Sequence, residues 1–154
     1  MDLIVDGGVV FGGTFNGNPL ALAAARATID ALSARQGAPL ARANRPGEEL
    51  MSGLRESAQT LGMPLTVCGF GAAFAVHFSE RQPLLAYRDT LKDDRERLRT
   101  FLLHMLEEGV YALPDGRFYV STAHSEDDIE ETKRVVHRAL RDVLEESRPV
   151  KSGR

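Results

Sequence analysis

A single cysteine, Cys68, leaves the chain unable to form an internal disulfide, and a reducing compartment is the expected setting. Cysteine and histidine nowhere gather at metal-ligand spacing, so a zinc-type centre is not expected. No basic face stands out: 19 basic residues are scattered among 22 acidic ones, for a net charge of −3. That balance argues against nucleic acid and anionic membrane as partners. Long hydrophobic runs are missing as well, because Arg26 and Asp30 interrupt the alanine-rich stretch that begins at Pro19. With no leader-like start either, a cytoplasmic protein is expected. No internal repeat is visible.

What is present is an ordinary globular balance, 43% apolar and 27% charged over 154 residues. That is enough for one domain burying about 68–70% of its unfolded surface. Helical and strand periods alternate along it. Asn16-Gly17 is a turn dipeptide, Asn18 an N-cap and Pro19 a first helical residue. The helix they open is expected over Pro19–Arg35, ending before Gly37. A polar connection, Gln36–Pro46, then leads to a second helix near Gly47–Leu61, with Leu50, Met51, Leu54, Ala58 and Leu61 on one face.

Leu65–Val67 and Ala72–Phe78 read as strands about a Gly69-Phe70-Gly71 turn, with Phe74, Val76 and Phe78 alternating with Ala73, Ala75 and His77. A third helix is expected over Asp93–Glu108, burying Leu98, Phe101, Leu102, Met105 and Leu106. Asp115-Gly116 turns into a strand at Arg117–Ser121, and Ser125 opens a capping box for the fourth helix. Ile129, Val136, Leu140, Val143 and Leu144 form that helix's apolar stripe. The expected fold class is therefore α+β: a small, mostly antiparallel sheet with helices packed on one side. The first helix is more apolar than such a layer needs, and it calls for a second surface.

Two stretches carry chemistry. The first is "FGGTFNGNPLALAAA", where Gly12, Gly13 and Thr14 precede a helix N-terminus. Backbone N–H groups, a hydroxyl and the helix dipole together suit a phosphate. The same residues also make a plain Asn-Gly turn with a good cap, and both readings stay open. The second is Arg117, whose planar fork suits a carboxylate, although a solvated arginine after a hairpin turn would look the same. His124, between strand and cap, reads as structural. His77 reads as a surface or half-buried strand residue, and His104 and His137 as ordinary helix residues. Cys68 reads as a small core residue without a basic neighbour to activate it.

"GGTFNGNPLALAAA" resembles a segment of class III, fold type I, pyridoxal-phosphate-dependent aminotransferases. "GVYALPDGRFYVSTAHSEDDIEET" is similar to their C-terminal region, glutamate-1-semialdehyde aminomutases included. The likeness spans almost the whole chain in order and spacing. It implies that residues 1–18 are a remnant of a large cofactor domain, 19–36 an interdomain helix, 37–146 a C-terminal small domain and 147–154 a flexible tail. It further implies that Thr14, with Gly13 keeping the backbone close, contacts the cofactor phosphate of a neighbouring subunit in a homodimer, and that Arg117 binds a substrate carboxylate.

Aminomutases tend to lack an arginine at that place, which tilts the expectation towards a transaminase acting on an amino acid or keto acid. The family's chemistry also needs a lysine that bonds to the cofactor, some tens of residues before the Gly-Thr pair. The lysines here are Lys92, Lys133 and Lys151, and none is so placed. The chain alone is therefore expected to be inactive. An aminomutase fragment and a non-catalytic α+β oligomerisation module are the alternatives.

Overall fold

The structure, a computed structural model, describes residues 2–8, 12–13 and 15–147, the side chains of Leu3 and Ile4 excepted. The chain divides into two compact units, Met1–Pro39 and Leu40–Arg154.

In the first unit a single helical turn, α1 (Asp2–Val5), precedes the glycine-rich turn and the start of α2 (Pro19–Leu61). Asn18 caps α2 as its residue type predicts: its Oδ1 accepts from the backbone N–H of Leu20 at 3.0 Å and of Ala21 at 3.1 Å. Among the described residues of this unit, Leu20, Leu22 and Ile29 are largely exposed.

Helix α2 is broken at Ala34–Gly37, where Arg35, Gln36 and Gly37 take left-handed backbone values. Left-handed φ is natural for glycine and costly for the other two. The expected polar connection, Gln36–Pro46, is a correction: the chain is helical again from residue 38. Ala38, Ala41 and Ala43 are strong helix formers, and Pro39 falls in a first turn that tolerates it. Gly47 does not start the helix but allows a close approach, since a Cβ there would overlap the Gly71 carbonyl.

The second unit holds a three-stranded antiparallel meander in the order β1 (Leu65–Phe70), β2 (Ala73–Phe78), β3 (Arg117–Tyr119). β1 is longer than expected. Phe70 pairs with Ala73, so the hairpin turns on Gly71-Ala72, with Gly71 at φ 54°. Gly69 lies inside the strand, where a Cβ would come within 2.5 Å of Phe74 Cα.

Period-two alternation sends Leu65, Val67, Phe74, Val76, Phe78 and Phe118 to one face. There they meet Leu50, Met51, Leu54 and Ala58 of α2, Phe101 and Met105 of α3 (Arg95–Glu107), and Ile129, Val135, Val136, Ala139, Leu140 and Val143 of α4 (Glu126–Glu146). Phe74 stacks on Phe118 at 5.0 Å between ring centroids, and Phe78 meets Phe101 edge-on at 5.8 Å. The α+β class, with helices on one side of the sheet, is thus what forms. The stripe expected on α3 ends one residue early, for Leu106 is exposed.

Caps fix the helix starts. Ser125 and Asp128 form the expected reciprocal box, Ser125 N–H donating to Asp128 Oδ2 at 2.7 Å and Asp128 N–H to Ser125 Oγ at 3.2 Å. Asp94, not Asp93, caps α3 by accepting from Arg97 N–H at 2.9 Å. That one-residue difference leaves Asp93 available on the other side of the sheet. Among the described residues, no helix is long and apolar enough to cross a membrane.

Candidate active site face

The face of the sheet turned from the helices carries the residues of chemical interest. Strand register sets them in rows: Phe70, Ala73 and Tyr119 in one, then Cys68, Ala75 and Arg117, then Thr66 and His77. Cys68 is therefore on this outer face rather than in the core. The short estimate of β1 hid its direction, and burial pushes its thiol pKa up.

Arg117 opens β3 and is held by its own turn. Its Nε donates to Asp115 Oδ2 at 2.8 Å, Nη2 lies 2.7 Å from the same oxygen, and the backbone N–H reaches Oδ1 at 3.3 Å. The Arg117 hydrogen bonds hold the Asp115 carboxyl below its usual range. Nη1 makes only a long contact, 3.4 Å, with the Tyr119 hydroxyl. One edge of the guanidinium is thus locked by a carboxylate while the other stays available.

Two residues along β2 from Ala75, His77 Nδ1 lies 2.7 Å from Asp93 Oδ2, the side chains being 21% and 10% exposed. Asp93 Oδ1 is buried and has no hydrogen-bond partner among the described residues. Both pairs border a cavity of about 530 Å³, lined among others by Ala75, His77, Tyr87, Thr90, Asp93 and Arg117. A two-turn 3-10 helix, Tyr87–Lys92, and the start of α3 form its far wall. Sequence reading placed His77 on this face but missed its partner. Asp93 lies 16 residues away and reads as a helix start.

The other predicted residues fall elsewhere. Gly13 belongs to the first unit and Arg117 to the second, and Thr14 lies outside the described residues. The Gly13 carbonyl accepts from Asn16 N–H at 3.0 Å, and a Cβ on Gly13 would press on the Asn16 amide at 3.2 Å. At Gly12 a Cβ would meet nothing within 4 Å. Asn18 already takes two N–H groups of the helix's first turn.

His124 closes a turn, its Nδ1 accepting from Ser121 N–H at 3.1 Å. The Lys133 amine is held by Glu130 at 2.7 Å, and Lys92 ends the 3-10 helix; Lys151 is outside the described residues. Among the described residues, the open backbone at Gly12 is compatible with the phosphate end of a cofactor, and the Lys133 amine is taken up by Glu130.

The family model for class-III aminotransferases matches residues 1–140, and the chain belongs to that family. Its fold is similar to a glutamate-1-semialdehyde aminomutase from Pseudomonas aeruginosa PAO1 (26% identity, 87% of this chain and 29% of that one, TM-score 0.71). A form of that aminomutase in complex with PMP gives 25% identity, 87% and 29% coverage, and a TM-score of 0.72. An omega-transaminase from Sphaerobacter thermophilus matches at 24% identity over 88% of this chain and 31% of that one, with a TM-score of 0.67. The chain thus spans about a third of the length of these structures.

Proposed function

We propose that the chain is the phosphate-gripping corner and the small domain of a pyridoxal-phosphate-dependent transaminase, working on an amino acid or keto acid in a homodimer of the reducing cytoplasm. Residues 1–18 would be the remnant of the cofactor domain, 19–36 the interdomain helix, 37–146 the small domain and 147–154 a tail. Bound pyridoxal phosphate supplies the electron sink for moving an amino group. Gly13 and Thr14 would hold its phosphate across the dimer, and Arg117 would clamp the substrate carboxylate. Leu20, Leu22 and Ile29, largely exposed among the described residues of their own unit, would take the second surface that a dimer provides.

The observation that carries this reading is Arg117, fixed by Asp115 on a cavity wall with Nη1 still available. A guanidinium prepositioned in this way binds carboxylate without first losing its own side-chain freedom. The test is Arg117→Ala in the complete enzyme. KM for carboxylate substrates should rise at least tenfold, with amines lacking a carboxylate unaffected; an unchanged KM removes Arg117 from the site. The aminomutase reading draws on the PMP-bound relative. It predicts isomerisation of one amino aldehyde rather than exchange between two substrates.

A further inference from the structure

A second cavity, of about 510 Å³, opens between the end of β2, the 3-10 helix and the first turn of α3. Four cationic side chains line it, Arg81, Arg88, Lys92 and Arg97, against three acids, Glu80, Asp89 and Asp94. Two of the acids are already committed. Asp89 Oδ1 lies 2.8 Å from Arg81 Nη1, and its Oδ2 accepts from the backbone N–H of Leu85 at 2.9 Å and of Ala86 at 3.0 Å. Asp94 Oδ1 accepts from Arg97 N–H as the α3 cap, and its Oδ2 lies 3.3 Å from Arg97 Nε.

These pairs cancel in charge but not in donor capacity. Both oxygens of each carboxylate face donors, whereas each guanidinium carries five N–H groups and turns a single nitrogen to its acid. Arg88 and Lys92 have no ion-pair partner among the described residues, and Glu80 is the lining acid left without one. The balance inside the cavity is therefore positive. Ser79 adds a neutral donor: it is only 8% exposed, and its Oγ accepts from Arg81 N–H at 3.3 Å. Its own hydroxyl proton has no acceptor among the described residues, and a buried donor of that kind costs stability unless a ligand or water takes it.

We propose that this cavity binds a phosphate group carrying two negative charges, free or as the end of a small phosphomonoester. Its donors come from three places: Ser79 and Arg81 just after β2, Arg88 and Lys92 on the 3-10 helix, and Arg97 on α3. A tetrahedral oxyanion accepts from several directions at once, while a planar monocarboxylate is satisfied by one guanidinium edge. An ammonium ligand would have Glu80 alone to pair with and four cations to repel it. The proposal goes beyond the transaminase reading and does not depend on Arg117, which is not part of this lining.

The test is an NMR titration of the 154-residue chain at pH 8 and constant ionic strength, with phosphate, glycerol 3-phosphate, succinate and acetate as probes. Phosphate should saturate, move the backbone amide signals of Ser79 and Arg81 most, and bind at least about tenfold more tightly than acetate. Arg88→Gln and Lys92→Gln, both at exposed positions, should each weaken phosphate by about 3- to 10-fold and leave the rest of the spectrum in place. Glu80→Gln should tighten it by up to about 5-fold. Equal affinity for phosphate and acetate, or an affinity that ignores both the Arg88 and the Lys92 variant, overturns the proposal. Shifts that spread over basic residues without saturating overturn it as well. Succinate bound as tightly as phosphate overturns the tetrahedral assignment. Glycerol 3-phosphate bound more tightly than phosphate assigns a phosphomonoester, and any other order of the two assigns the free ion.

Discussion

Asp115 Oδ2 receives both Nε and Nη2 of Arg117, so the residue that could grip a carboxylate is already gripping one, two positions back in its own chain. The pair fixes where the guanidinium sits and which edge it offers. It also ties the turn to the strand, since Arg117 N–H reaches the other oxygen of the same carboxylate.

That pair gives a pH signature. Arg117 lowers the folded-state pKa of Asp115 below that of the unfolded chain. A depressed carboxyl contributes stability above its unfolded pKa, about 3.9, and the contribution is lost as pH falls through the lower folded value. Asp115→Asn should therefore melt below the native chain at pH 7, with the gap closing below about pH 4. Thermal unfolding followed by circular dichroism at several pH values measures it. A gap that persists at pH 2 would mean the carboxylate charge is not its source.

Phe101 is fully buried, edge-on to Phe78, at the meeting of α3 and β2. Phe101→Ala should cost about 3–5 kcal/mol in urea unfolding. Leu106→Ala, five residues on and exposed, should cost under about 1 kcal/mol. Similar losses at the two positions would contradict the assignment of the buried stripe.

Two glycines of α2 should behave oppositely. A Cβ at Gly47 overlaps the Gly71 carbonyl, so Gly47→Ala must shift backbone and should destabilise by about 1–3 kcal/mol. At Gly53 the nearest atom is a flexible Lys133 methylene at 3.1 Å. There Gly53→Ala should be neutral or stabilise by up to about 1 kcal/mol through helix propensity. Denaturation midpoints of the two variants decide it.

Ser125→Ala removes an acceptor for Asp128 N–H at the start of α4 and should cost about 1 kcal/mol. Asp128, whose carboxyl is held low by the Ser125 backbone N–H and then by its hydroxyl, should titrate closer to an ordinary aspartate in that variant. Carbon-detected NMR of the carboxyl reports the change, and an unmoved titration would show that the box is not formed in solution.

The core was legible in the chain because it is written in short periods. Phe74, Val76 and Phe78 alternate, and Ile129, Val136, Leu140 and Val143 recur at helical spacing, so each element points inward by itself. The α2 break was misjudged because Pro46 and Gly47 look like punctuation, whereas tertiary packing against Gly71 decides the role of Gly47. Arg117 could be nominated from its position after Asp115-Gly116. The His77–Asp93 pair could not, since it joins a strand to a residue 16 positions later and depends on Asp94, not Asp93, capping α3.

The most direct measurement of the central claim is reductive trapping. The purified chain is incubated with pyridoxal phosphate, reduced with borohydride and mapped by mass spectrometry. No lysine should be modified stoichiometrically, because Lys133 is engaged by Glu130 and Lys92 ends a surface turn. Specific, one-to-one modification of Lys92, Lys133 or Lys151 would contradict the account and give this chain a covalent cofactor site of its own.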